Sequence, residues 1–203
     1  MLQIDTVEPD TLVLLKKLQS MPELADTRLV GGTALALLLG HRLSIDIDLF
    51  GKINSDILTE TLRAERFETF DVTFENKVIK HYMINQVKVD VVKYDYYPWL
   101  ESMIVEDGIR LAGMKDIAAM KLGAITNRGS RKDFVDLFFL LKTFSMKEIF
   151  GFYAEKFPDS TPFITFRSLV YFDDADKENM PDMLIPTTWE EVKKRIADEV
   201  KKL

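Results

Sequence analysis

The apolar positions of this chain change period several times, and the changes mark its elements. Leu12, Leu14, Leu15 and Leu18 recur at helical spacing behind Asp10 and Thr11, predicting a first helix. A short strand near 28–30 runs into Gly31-Gly32, and an apolar helix follows from about Thr33 to Leu39, stopped by Gly40. Alternation then predicts a strand over 44–50, and helical spacing returns over 55–65. Further strands are expected at 68–74, 78–84 and 87–94. Only Asn85-Gln86 separates the last two, which predicts a hairpin. After Pro98 a short strand near 109–111 precedes helices over 114–127, 131–144, 145–157, 162–171 and 188–202. Ser145 with Glu148, and Thr187 with Glu190, have the spacing of capping boxes. The chain thus reads as α+β: a mixed sheet flanked by helices over 1–105, then a mainly helical half over 106–203.

The strand over 44–50 contains a conflict. Its polar positions include Asp46 and Asp48, which share one face about 6.6 Å apart along the strand, while Ile45, Ile47 and Leu49 face the other way. Like charges so placed repel, and each resists burial. A divalent cation between them removes the conflict. Asp90, within Val87-Lys88-Val89-Asp90-Val91-Val92, has the same apolar flanks and joins the pair if the two strands are neighbours. Hard oxygen ligands without histidine or cysteine beside them favour Mg²⁺, with Mn²⁺ as a substitute. Three carboxylates suit two ions about 3.5–4 Å apart, the arrangement that clamps a phosphoryl transfer. Gly31, Gly32 and Thr33, opening a helix, offer backbone N–H groups and a partial positive charge to a phosphate.

Composition narrows the picture. The 203 residues are 47% hydrophobic and 30% charged, as expected of a globular chain with a real core. With no cysteine, disulfides, thiolate catalysis and cysteine-ligated zinc are excluded, and two histidines are too few for a histidine-rich metal site. A net charge of −6 speaks against a surface that coats nucleic acid but leaves room for a local basic groove. No apolar run approaches the ~20 residues that cross a bilayer. The opening MLQIDTVEPD has no basic stretch followed by an apolar one, so no secretory leader and no membrane partner are expected, and the location read from this is cytoplasmic.

Gly-Gly after a hydrophobic residue, thirteen residues from Thr33 to Ile45, Asp-Ile-Asp, then a later hydrophobic–Asp–hydrophobic strand resembles the nucleotidyltransferase superfamily of DNA polymerase β. The fuller pattern GGTALAL…GHR.S.DIDLF is similar to the AbiEii/AbiGii-type nucleotidyltransferase toxins of bacterial toxin–antitoxin and phage-defence systems. The likeness extends to Lys121 in AMKLGAITNRG, to RKDFVDLFFLL and to YFDDADKENMPDML, covering nearly the whole chain. It implies a polymerase β-like core that moves a nucleoside monophosphate from an NTP to an acceptor and releases pyrophosphate. It further implies a tRNA or other RNA end, or a protein, as acceptor, and a cognate antitoxin as partner. Asp46, Asp48 and Asp90 would then hold the metal and, with Lys121, carry the chemistry. Gly31, Gly32, Thr33, Arg42, Ser44, Arg128 and Asp136 would contact the nucleotide. Two alternatives stand beside this: a small-molecule transferase of the antibiotic-modifying kind, and a non-catalytic nucleotide-binding subunit.

The helical half adds charges in apolar surroundings. Lys121 is the one charge on a stripe with Met114, Ala118, Leu122 and Ile125. It either snorkels or points across a cleft at phosphates, and the resemblance favours the second. Asp133 and Asp136 lie in a helix apolar almost all round and require partners. Asp133 suits a cap with Ser130, whereas Asp136 is expected to pair with Lys121 or an arginine of the 128–131 loop. His41-Arg42 reads equally as a helix-exit cation pair or as a phosphate contact. The acidic run Asp173-Asp174-Ala175-Asp176 is expected to be solvated rather than metal-binding.

Overall fold

A computed structural model describes residues 1–203. One seven-stranded sheet organises them. In chain order its strands are β1 (Thr27–Leu29), β2 (Ile47–Gly51), β3 (Phe70–Glu75), β4 (Ile79–Ile84), β5 (Val87–Lys93), β6 (Ile104–Glu106) and β7 (Ile109–Leu111). Across the sheet they run β3-β4-β5-β2-β1-β7-β6. β2 is parallel to β5 and β1 to β7, while the remaining neighbours are antiparallel, so the sheet is mixed. The helices are α1 (Pro9–Ser20), α2 (Gly31–Leu39), α3 (Leu58–Ala64), α4 (Met114–Asn127), α5 (Arg131–Leu140), α6 (Met146–Lys156), α7 (Pro162–Ser168) and α8 (Trp189–Val200).

Alternation in β2 and β5 sorts the side chains. Ile47, Leu49, Val89 and Val91 are fully buried on one face, leaving the aspartates on the other. A single apolar core of 44 buried residues runs from Leu2 to Val200 and joins the sheet to the helices. None of the helices is long and apolar enough to cross a membrane.

Several expected boundaries shift for identifiable reasons. β2 begins at Ile47, so Asp46 lies just before the strand; Thr33 Oγ1 donates to the Asp46 carbonyl and occupies a group that a ladder would use. The strand pair β6–β7 straddles residue 105, so the sheet continues to Leu111 and the helical half starts at α4. α2 begins at Gly31 rather than Thr33, and its exit at Gly40 is left-handed, as a helix stop requires. The second capping box uses Thr188 with Glu191, one residue beyond the expected pair; Ser145 with Glu148 forms as read. Asp176 accepts from Trp189 Nε1 at 2.5 Å and from Lys193 at 3.0 Å, tying the acidic run to α8.

Candidate active site

Parallel pairing places Asp48 of β2 directly opposite Asp90 of β5. Asp46 stands at the entry to β2, and all three carboxylates line one small cavity of about 70 Å³. Its walls hold no hydrophobic residue. Gly31, Gly32 and Ser44 close one side, and the cations Arg42, Lys88, Lys121, Arg128 and Lys132 surround the acids.

The glycines are required by close approach. Gly31 is left-handed at φ +71°, and a Cβ there would collide with Asp48 Oδ2. A Cβ on Gly32 would collide with Arg42 Nη2. The pair lets the start of α2, with its free N–H groups, press against both a carboxylate and a guanidinium. Thr33 does not reach the cavity. It is fully buried, and its hydroxyl serves the Asp46 carbonyl and Ser44 Oγ, the latter at 2.9 Å. The expected phosphate contact by Thr33 is therefore corrected to a structural one.

Asp136 is corrected as well. It is wholly buried and lies behind the cavity, where Arg42 grips it with Nε at 2.7 Å and Nη2 at 2.9 Å. Lys121 Nζ reaches it at 2.5 Å, and His41 Nε2 at 2.8 Å. Lys121 also meets Asp133 at 3.0 Å, and Arg128 donates to both Asp133 oxygens at 2.7 and 2.9 Å. Arg128 thus serves Asp133 and not Asp136. Burial alone would raise both carboxyls. Lys121 with Arg42 and His41 overrides it at Asp136, which falls well below its usual range; Lys121, Arg128 and Ser130 do the same at Asp133, held at about 2. Burial likewise opposes the Lys121 charge, yet Asp136 and Asp133 raise its pKa, so it stays cationic. His41 goes the other way: burial lowers it, and the neutral ring donates through Nε2, leaving Nδ1 without a partner. Lys121 accordingly reaches the cleft as a lysine already held by two carboxylates, not as a free arm aimed at phosphate.

Three residues that contact the acids escaped the sequence reading in whole or part. His81 Nδ1 lies 2.7 Å from Asp90 Oδ1, and Lys88 donates to Asp90 Oδ2 at 2.8 Å. Lys132, counted only as local basic charge, sits 3.5 Å from Asp46 Oδ2. The hairpin count gives the first: with Asn85-Gln86 as the turn, His81 falls opposite Asp90, while Lys88 lies two residues from Asp90 on the same strand.

The acids suit a hard cation. Burial first, then the Asp90 charge, pushes Asp48 up to about 6, the signature of a carboxylate short of positive partners. Lys88 pairs with Asp90 and Lys132 with Asp46, and in this arrangement no three acidic or histidine side chains form a ready-made metal group. The donor set is all carboxylate, as Mg²⁺ and Mn²⁺ prefer, and Asp46, Asp48 and Asp90 are the residues that would hold them.

Mixed-sheet topology and neighbouring solved structures define the fold as that of the polymerase β-like nucleotidyltransferases. JHP933 from Helicobacter pylori matches with a TM-score of 0.61 at 19% identity, over 97% of this chain and 92% of its own. MenT4, a nucleotidyltransferase toxin of Mycobacterium tuberculosis, matches at 0.61 and 16% identity, over 94% and 81%. The antibiotic-resistance factor ANT(2'')-Ia matches at 0.52 and 16%, over 71% and 89%. The model of the nucleotidyl transferase AbiEii toxin family, a type IV toxin–antitoxin system, matches residues 14–202, and the chain belongs to that family. The Aquifex aeolicus protein aq_aa25 is 34% identical over 203 residues, 92% of each chain. The protein is a nucleotidyltransferase of the toxin class.

Two outcomes follow from the charges. Lys121→Met leaves Asp133 and Asp136 short of a buried partner and should cost about 3–5 kcal/mol in denaturant unfolding. For Asp48, the folded carboxyl titrates near 6 against 3.8 in the unfolded chain, so the native state binds the extra proton between those values. Metal-free stability therefore falls as pH rises through that window. Asp48→Asn removes the penalty: above pH 7 it should be about 1–2 kcal/mol more stable than the wild type, and the gap should close near pH 4. Thermal unfolding in chelator at both pH values measures it.

Proposed function

We propose that the protein transfers a nucleoside monophosphate from a Mg²⁺-bound NTP to a hydroxyl on an RNA end or a protein. Its cellular role is that of the toxin of a toxin–antitoxin or phage-defence system, held in check by a cognate antitoxin. The observation that carries the reading is the placement of Asp48 opposite Asp90 with Asp46 beside them. Mg²⁺ bound to these acids would activate the acceptor oxygen and offset charge on the transferring group.

The chain's own residues divide the remaining work. Backbone N–H groups at Gly31 and Gly32 and the start of α2 receive the triphosphate, with Ser44, Arg42 and Arg128 around it. Arg42 and Lys121 are pinned by Asp136, so their charges are fixed before substrate arrives, and pre-set dipoles and charges need no reorganisation during reaction. The acceptor oxygen forms its bond to the α-phosphorus as the bond to the bridging oxygen breaks. Pyrophosphate leaves toward the cationic wall, and the hydroxyl proton passes to the acid cluster, Asp90 being backed by His81 and Lys88.

Pure protein incubated with Mg²⁺, each labelled NTP, and either RNA or no RNA tests the reading. Asp48→Asn should lose on the order of 10² or more in transfer rate while remaining folded. Normal turnover by folded Asp48→Asn would contradict the mechanism. Label transferred to a small molecule alone, or to nothing, would support the antibiotic-modifying or the non-catalytic alternative.

A further inference from the structure

A row of side chains crosses the sheet from the acids to its edge. Asp48 of β2 is the register partner of Asp90 of β5, Asp90 that of His81 of β4, and His81 that of Phe74 of β3. The two acids line the cavity. His81 and Phe74 lie outside it, on the side of β5 away from Asp48.

The far end of the row is made by an irregularity. The β3–β4 register shifts between Val72 and Phe74, so Thr73 is an extra residue on the edge strand. A regular ladder after Val72 and Tyr82 would set Thr73 opposite His81, and Phe74 opposite Lys80 on the face of Tyr82. The bulge instead turns Phe74 to the acid face, where its ring lies 5.4 Å from the His81 ring at a tilt of 38°. Thr73 Oγ1 donates to the His81 carbonyl at 3.1 Å, which ties the bulge to the same residue. Core packing does not call for this, since Phe74 is left 49% exposed.

Two donors hold Asp90, and they differ in kind. The torsion that turns an aspartate carboxylate is broad, so its neighbours decide which way each oxygen points. His81 Nδ1 donates to Oδ1 at 2.7 Å from the opposite strand, with Phe74 behind its ring. Lys88 Nζ donates to Oδ2 at 2.8 Å, but this side chain is half exposed and rich in rotamers. Charge separates them further. A neutral imidazole keeps its hydrogen bond while a metal takes up the carboxylate's charge. An ammonium competes with the metal for the same oxygen.

Resting on the metal-dependent transfer read above, we propose that His81 is a positioning residue. Braced by Phe74, it holds Oδ1 of Asp90 and leaves Oδ2 to the divalent ion, which displaces Lys88. The third acid is thus carried by an aromatic–imidazole–carboxylate unit built across three strands.

Mn²⁺ binding to the full chain, followed through the paramagnetic resonance of the free ion with a non-hydrolysable NTP analogue present, separates this role from that of a strand staple. His81→Phe keeps a ring against Phe74 and loses the donor, and should weaken the Asp90-dependent ion about 10- to 100-fold. His81→Asn, whose amide nitrogen can stand where Nδ1 does, should recover most of that loss. Lys88→Met should bind the ion at least as tightly as the wild type. Phe74→Ala keeps the donor without its brace and should lose part of the affinity; it is the second arm if His81→Phe does not fold. Thermal unfolding in chelator is measured beside each. Wild-type affinity in His81→Phe or Phe74→Ala, no recovery in His81→Asn, or a loss in Lys88→Met equal to that in His81→Phe overturns the role and leaves the three-acid site standing. Affinity losses that merely follow the loss of metal-free stability across the variants overturn it as well. A wild type that holds the analogue but no Mn²⁺ overturns the metal reading and the role together.

Discussion

Two carboxylates held opposite each other on parallel strands are the constraint around which this molecule is arranged. Asp48 and Asp90 are register partners, and the backbone pairing that joins them is continuous from Ile47 to Gly51. Neither can turn away without breaking a strand whose other face is core. The repulsion has to be met from outside the strand pair, and the chain meets only part of it, through Lys88 on Asp90, Lys132 on Asp46 and His81 behind Asp90. Asp48 is left with the deficit, and burial together with the Asp90 charge holds its carboxyl above the usual range. That residual charge is what a divalent cation would satisfy.

The second organising element is the buried ion cluster behind the cavity. Asp136 and Asp133 of α5 bind Lys121 of α4, Arg42 after α2, and Arg128 after α4. Three cations against two carboxylates leave one positive charge, with His41 neutral, and its carriers Arg42, Lys121 and Arg128 all border the cavity. The cluster fastens the helical half to the sheet and at the same time sets a cationic wall facing the acidic one. Such a network is costly to leave half satisfied, which is why its members reach from three separate segments of the chain.

Much of this was legible in the sequence because its physics is local. Strand alternation put Ile47 and Leu49 on one side and Asp48 on the other. The Asn85-Gln86 turn set the β4–β5 register, with both residues left-handed as a two-residue hairpin turn requires. Apolar surroundings marked Lys121, Asp133 and Asp136 as charges in need of partners. What was not legible depends on long-range geometry. Nothing local says that Arg42 would take Asp136 across 94 residues, leaving Arg128 to Asp133. Thr33 read as a phosphate ligand because it follows the glycines, yet its hydroxyl is needed to shape the turn at Asp46. His81 opposite Asp90 could have been counted from the hairpin. Its contact bears on the site because β5 lies beside β2, a long-range pairing that no local pattern specifies.

The proposed function requires Asp48, Asp90 and Asp46 to hold two divalent ions around a nucleotide. Counting bound Mn²⁺ by the paramagnetic resonance of the free ion, in the presence of a non-hydrolysable NTP analogue, addresses it most directly. Two ions per chain are expected for the wild type and at most one for Asp90→Asn. Equal stoichiometry in the two proteins, or no bound ion in a wild type that holds the analogue, would contradict it.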